Sequence, residues 1–335
     1  MPRPGRFFLL AALALAPSLR AAEPGTTSSG ALPAKGTVRF EPVGEQKDIP
    51  QCYRLDSCSI DFELTWKMDL TTSGTRVYRI KFPSVVKSPD AANNTVHGEY
   101  YLPAGKGPFP GVVVFDVIGG RDQIVSRSLS AQLSSRGIAC LFIQMPYYGP
   151  RSAVDGKERM ISANVKRSID NVRQAVLDGR CAAAWLASRS EIDGKRIGIM
   201  GTSLGSFMAS LTAEMEPRIS RLAVLLGGGG LVDAYYDDPR GTAVRKLWEA
   251  TGGTKKKLKE TLAPVDPLTC ADRLKERKVL MIAGKRDEIV LPSMTEALWK
   301  ASGEQEIVWY DCTHVGSVVY ALAALEHITA FFAAE

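Results

Sequence analysis

Residues 201–205 read Gly-Thr-Ser-Leu-Gly, a G-x-S-x-G pattern that places one serine hydroxyl between two glycines. The stretch before it, Arg-Ile-Gly-Ile-Met at 196–200, has the apolar character of a buried strand, and Phe207, Met208 and Ala209 after it suit the start of a helix. A strand-to-helix turn this tight forces the serine into a strained backbone conformation, and glycine on both sides removes the Cβ atoms that would collide there. The hydroxyl of Ser203 is thereby pushed out at the carboxyl edge of a sheet. The N–H of Leu204, at a helix N-terminus, faces the place where negative charge would develop. The chemistry this suits is nucleophilic attack by serine.

A serine needs a base to be a nucleophile. In enzymes with this turn, the acid and then the histidine follow the serine in the chain. The chain has three histidines, and two follow Ser203. His314 lies just after an apolar run at 307–310, in a loop at a strand's carboxyl end. His327 falls inside a terminal helical pattern, and His97 precedes the serine at the start of an early strand. His314 is therefore the expected base. The run Val-Leu-Met-Ile-Ala-Gly at 279–284 ends in Lys285, Arg286, Asp287 and Glu288, which makes Asp287 the expected acid, able to fix the imidazole tautomer and stabilise the imidazolium. Glu288 is its neighbouring rival. Asp266, before Pro267, reads more simply as a turn former, and Asp311 is too close to His314 along the chain.

An oxyanion hole needs a second N–H besides that of Leu204, and the loop after the early central strand, Asp-Val-Ile-Gly-Gly at 116–120, is where to look. Val117 or Ile118 would donate, with Val117 preferred. Tyr147 and Tyr148, after the next strand, are candidates to line an acyl or alcohol pocket.

These residues require a particular frame. Apolar runs at 111–115, 138–143, 196–200, 222–226, 279–282 and 307–310 alternate with helical patterns at 124–135, 164–188, 295–300 and 318–332. Uninterrupted apolar strands suit a mostly parallel sheet covered by helices on both faces, a doubly wound α/β fold, whose ligands bind beyond the strands' carboxyl ends. Residues 75–82 and 95–102 add strand-like runs ahead of this region. Residues 227–263 interrupt the alternation with Tyr235-Tyr236, an Asp-Asp-Pro turn, short helices around Leu247 and Leu258, and Lys255 to Lys257 as a solvated face. A long insertion at the carboxyl edge is expected to act as a lid. The four glycines at 227–230 read as a flexible exit from a strand. No phosphate-binding G-x-x-x-x-G-K-[ST] occurs and no G-x-G-x-x-G follows a strand, so no nucleotide cofactor is expected.

The chain has 335 residues, is 45% hydrophobic and 23% charged, and carries a formal charge of +6, a globular composition. Residues 1–22 resemble a secretory signal: Arg3 and Arg6 precede a short apolar run, Pro17 breaks it, and Ala21 and Ala22 follow. Residues 23–36 read as a tether, and 37–335 as the folded domain, with extra strands or a small module within 37–94. Removal of Arg3, Arg6 and Arg20 would leave +3, too little to argue for nucleic acid. No later apolar stretch is expected to reach membrane length, so no stable membrane insertion is expected. Export to the periplasm or medium permits disulfides among the six cysteines. Cys52 and Cys58 suit a local bridge, and Cys140 and Cys181 suit buried thiols. Zinc spacing is absent, so no metal is expected. Asn93-Asn94-Thr95 fits a glycosylation sequon.

From about Thr95 onward the chain resembles the α/β-hydrolase superfamily, in the branch of dienelactone hydrolases, acetylxylan esterases and prolyl-oligopeptidase-like proteins. The resemblance rests on Gly-Glu-Tyr-Tyr-Leu-Pro at 98–103, Gly-Pro-Phe-Pro-Gly-Val-Val-Val at 107–114, Ile-Asp-Gly-Lys-Arg-Ile-Gly-Ile-Met-Gly-Thr-Ser-Leu-Gly-Ser at 192–206 and Ala-Gly-Lys-Arg-Asp-Glu-Ile-Val at 283–290. It implies ester hydrolysis of a small-molecule or polysaccharide substrate without a metal; the alternatives are a peptidase of prolyl-oligopeptidase type, or a secreted binding protein that kept the fold and lost catalysis. Two departures stand out. Many relatives carry His-Gly where this chain has Asp116-Val117, and dienelactone hydrolases carry cysteine where it has Ser203.

Overall fold

The computed structural model describes residues 32, 34–119, 122–153, 156 and 158–335. The expected signal at 1–22 and most of the tether lie outside the described residues. Strand β1 (Lys35–Phe40) already begins within the range read as tether. It is followed by β2 (Cys58–Leu70), β3 (Thr75–Pro83), β4 (Thr95–Leu102), β5 (Phe109–Phe115), β6 (Ala139–Ile143), β7 (Ile192–Thr202), β8 (Ile219–Leu225), β9 (Lys278–Gly284) and β10 (Glu306–Tyr310). They form one ten-stranded sheet in the order β1-β2-β3-β4-β6-β5-β7-β8-β9-β10. The pairs from β6 through β10 are parallel, and β1 to β4 add an antiparallel meander that joins through β4 and β6. The N-terminal region is thus extra strands on the sheet rather than a separate module.

Helices α1 (Ile124–Ser134), α2 (Val165–Ala187) and α3 (Leu204–Met215) link the central strands; α4 (Leu231–Tyr235), α5 (Thr242–Ala250) and α6 (Lys255–Leu262) lie in the inserted segment; α7 (Pro292–Ala301) and α8 (Ala321–Ala333) complete the chain. Period-two alternation sends neighbouring β5 residues to opposite faces. Val113 and Phe115 pack with α2 and α3, among them Ala182, Trp185 and Met208. Val112 and Val114 pack on the other face with Leu133 of α1 and Leu325, Ile328 and Phe332 of α8. This is the α/β-hydrolase arrangement, and β5 lies where strand order reverses, the point at which such sheets open a crevice.

Two expectations are corrected here. Asn93 is fully buried, and its side-chain amide donates to Gln174 at 2.8 Å and Ser88 at 3.2 Å, so the sequon is closed to glycosylation. The C-terminal helical run Val315–Ala333 is 19 residues long with mean hydropathy 1.5, which is long and apolar enough to cross a membrane by length and composition. Leu325, Ile328 and Phe332 face the core, whereas Val319 and Leu322 are exposed.

Candidate active site

The first turn of α3 grows directly out of β7, and Ser203 sits at the junction with φ 54° and ψ −121°. That left-handed conformation costs energy for any residue with a Cβ and is retained only where the surroundings enforce it. They do so through close approach. A Cβ on Gly201 would stand 2.0 Å from the Gly205 carbonyl oxygen, and one on Gly205 would stand 2.4 Å from that of Asp116. The Ser203 N–H is tied to the Leu225 carbonyl of β8 at 2.9 Å. Ser206 seals the turn from behind, its hydroxyl donating to the Ser203 carbonyl at 2.6 Å.

His314 arrives from the loop after β10, four residues past Tyr310, and begins the turn of 3-10 helix at Val315–Tyr320. Its Nε2 lies 2.9 Å from Ser203 Oγ, and its Nδ1 lies 2.7 Å from Asp287 Oδ2. All three side chains are buried, at 6%, 5% and 4% exposure. The other Asp287 oxygen, Oδ1, accepts the N–H groups of Ile289 and Val290, each at 2.8 Å, so the carboxylate cannot turn away from the imidazole. Nδ1 as donor to Asp287 leaves Nε2 free to accept the serine proton. Glu288, the rival acid, points elsewhere: its Oε2 accepts the His314 main-chain N–H at 3.1 Å. It holds the loop of the histidine rather than its ring. Asp266 is committed to the N–H groups of Gly230 and Leu268. His327 lies within α8, and His97 in β4, with its pKa lowered chiefly by burial.

Leu204 is the first residue of α3, where an N–H has no carbonyl one turn back to bond. The loop after β5 faces it. Val117 is buried, and Ile118 stands at the surface, 59% exposed. Beneath them Asp116 is 2% exposed; Ser126 donates its hydroxyl to Asp116 Oδ1 at 2.9 Å, while Oδ2 has no partner. Burial raises the pKa of this carboxyl to about 6, against the opposing pull of the Val117 and Ser126 N–H groups, the Ser126 hydroxyl and Arg127. The two tyrosines separate. Tyr148 reaches this loop, its phenol oxygen accepting the Gly119 N–H at 2.8 Å. Tyr147, with φ 64°, donates its hydroxyl to Asp90 at 2.8 Å and lies under the Arg167 guanidinium, which makes it part of the scaffold beside α2.

The inserted segment touches the site. Tyr235 and Arg240 both donate to main-chain carbonyls of the loop that carries Asp287: the Tyr235 hydroxyl to Ile289, and Arg240 to Glu288 at 2.6 Å. Arg240 is itself held in a fork by Asp238, which holds that carboxyl down at about 2, and its guanidinium stacks on Tyr235. Around Leu247 and Leu258 the expected helices are α5 and α6; Leu258 is buried, whereas Val244 and Leu247 are exposed. The serine, histidine and aspartate were legible from strand ends and chain order. The clasp by Glu288, Tyr235 and Arg240 was not, because it runs through backbone carbonyls and N–H groups that carry no residue signature.

Comparison with known proteins places these features in context. A sequence profile of the prolyl oligopeptidase family matches residues 170–332, which hold all three residues. An uncharacterised protein of Mycobacterium tuberculosis is 28% identical over 189 residues, 54% of this chain; the chain spans 43% of the length of that relative. Among solved structures, the acetyl xylan esterase of Paenibacillus sp. R4 aligns over 81% of this chain and 88% of its own, with a TM-score of 0.64 and 20% identity. A Mycobacterium tuberculosis puromycin-hydrolysing peptidase aligns over 82% of this chain and 45% of its own, with a TM-score of 0.54 and 18% identity.

Proposed function

Starting from the α/β-hydrolase fold, we propose that the chain is a serine hydrolase acting on carboxylic esters, exported to the periplasm or medium. The observation that carries this reading is the continuous path from Ser203 Oγ through the His314 imidazole to the Asp287 carboxylate, at 2.9 and 2.7 Å. His314 takes the hydroxyl proton as Ser203 attacks the acyl carbon, and Asp287 stabilises the imidazolium. The N–H groups of Leu204 and Val117 hold the oxyanion, each such donor being worth about 3 kcal/mol in the transition state. His314 returns the proton to the leaving alcohol, and a water activated by the same ring then hydrolyses the acyl-enzyme. Tyr148, fixed to the oxyanion loop, lines the site, and Tyr147 is given no part in substrate binding.

An ester rather than a peptide is supported by the extent of the likeness: the esterase is matched over most of its length, the peptidase over less than half. The family profile favours a second reading, a peptidase of prolyl-oligopeptidase type. Purified wild type and Ser203→Ala, assayed on p-nitrophenyl acetate, acetylated xylan and peptide p-nitroanilides, separate the two. The proposal expects ester turnover that disappears in the variant. Undiminished ester turnover by Ser203→Ala refutes the mechanism, and turnover of amides alone replaces the ester reading with the peptidase one.

A further inference from the structure

The antiparallel extension crosses the back of α2, and two cysteines meet where it does. Strand β2 turns alternate residues inward, with Ile60, Phe62 and Leu64 buried and Cys58 at the head of the same row. Helix α2 answers with Cys181 and Trp185, one turn apart and so on one face. The Phe62 ring meets the Trp185 ring edge-on, with centroids 5.6 Å apart. Four residues earlier on each element stand Cys58 and Cys181, neighbours close enough for each thiol to perturb the other. The Arg180 side chain next to them packs over Phe40, the β1 residue that pairs with Cys58, which fixes the crossing from the other side. Cys52 lies elsewhere. Its carbonyl accepts from Arg173, eight residues or about 12 Å down the helix axis from Cys181. The local Cys52–Cys58 bridge suggested by spacing is therefore not what the fold prepares.

We propose that Cys58 and Cys181 are a disulfide-forming pair, closed by thiol–disulfide exchange with a disulfide-bearing oxidant. Closure staples the N-terminal strands to the helix behind the nucleophile strand. Cys58 is the partly open member and Cys181 the buried one, at 1% exposure. The neighbouring thiols push each other apart, Cys58 below its ordinary value and buried Cys181 well above it, and Cys58 is the more open of the two, which makes Cys58 the attacking thiolate. Its sulfur attacks one sulfur of the oxidant, forming a mixed disulfide and expelling the first thiolate. The Cys181 proton passes to that thiolate, and Cys181 sulfur then displaces the second. Two protein thiols are oxidised to one disulfide, and one oxidant disulfide is reduced to two thiols. The bond encloses roughly 120 residues, a loop long enough for the cross-link to restrict the unfolded chain strongly. Neither sulfur touches Ser203, His314 or Asp287, so the inference stands apart from the esterase reading.

The test is oxidation of the purified protein with oxidised glutathione, blocking of remaining thiols with N-ethylmaleimide, and peptide mapping without reductant. The pair is expected as a cross-linked peptide joining Cys58 to Cys181, with Tm raised by about 5 °C or more over the reduced protein. Cys58→Ser, at a strand end and partly open, should fold, retain ester turnover and lose the oxidant-dependent Tm shift. Recovery of Cys58 linked to Cys52, of Cys58 carrying only glutathione, or of both thiols alkylated after oxidation overturns the proposal.

Discussion

At the scale of single residues, two adjacent carboxylates with different partners give a sharp comparison. Asp287 touches the His314 ring, whereas Glu288 touches its main-chain N–H. Asp287→Asn is expected to lower kcat about 10,000-fold, since the amide can hold the wrong tautomer in place. Glu288→Ala removes one hydrogen bond worth about 1 kcal/mol and is expected to cost roughly fivefold. Steady-state kinetics of the two variants on one p-nitrophenyl ester checks the ranking, and equal losses would contradict it. The reason Asp287 was legible is positional: it follows the glycine that ends an apolar run. Tyr147 was misleading for the same reason. Its place after a strand suggested a pocket, but Asp90 and Arg167, distant in sequence, draw it into the scaffold.

Asp116 makes a prediction about pH. Its carboxyl is raised to about 6 by burial, above its ordinary value of 3.8. The folded protein thus binds a proton more tightly than the unfolded chain. Below about pH 4 the group is protonated in both states and costs nothing. As pH rises from there through 6, the unfolded chain ionises first, so folding must take up a proton and, above 6, bury a charge, and stability falls by about 3 kcal/mol. Asp116→Asn removes this term. The Tm difference, variant minus wild type, is expected to rise between pH 4 and 6 and then level off; a flat difference across that window contradicts it.

At the scale of elements, the nucleophile turn is a contact between β5, β7 and α3 as much as a sequence motif. Gly205→Ala would drive a Cβ to within 2.4 Å of the Asp116 carbonyl oxygen and 2.7 Å of Phe115 main-chain atoms. Backbone cannot yield cheaply, so a loss of about 1–3 kcal/mol of stability together with activity is expected, measured by denaturant unfolding and turnover. Full activity at unchanged stability would show that the turn is looser than described. The inserted segment makes a gentler case. Arg240→Ala breaks one exposed link to the Asp287 loop and is expected to lower kcat/KM by less than about tenfold. The central strands were legible as uninterrupted apolar runs because both faces of a parallel sheet are covered. Strand β2 escapes that criterion: Ile60, Phe62 and Leu64 alternate with Ser59, Asp61 and Glu63, the mark of a sheet wet on one side.

At the scale of the whole molecule, a parallel half and an antiparallel extension share one sheet and one helix layer. The two are locked by polar groups as well as by apolar packing. Arg180, fully buried on α2, pairs with Glu216 at 3.2 Å and also donates to the Tyr53 carbonyl. Arg151 pairs with Asp178 at 2.8 Å, and Ser84 donates to the same carboxylate group. Removing one partner leaves a buried charge without its counter-charge, so Glu216→Ala is expected to destabilise the protein by about 3–5 kcal/mol. Such pairs were not legible, because charged residues 27 and 36 positions apart advertise nothing of their meeting. Export belongs to this scale as well. Expressed with residues 1–22 in a bacterial host, the protein is expected in the periplasm with a new N-terminus after Ala22; a cytosolic product retaining those residues would contradict export.

If Ser203 is made nucleophilic by its neighbours, it should be open to covalent capture. Folded wild-type protein is treated with a fluorophosphonate probe, digested, and the adduct located by mass spectrometry. The account predicts a single adduct on Ser203, absent in Ser203→Ala and formed far more slowly in His314→Ala. A folded, ester-hydrolysing protein whose Ser203 remains unlabelled would contradict it.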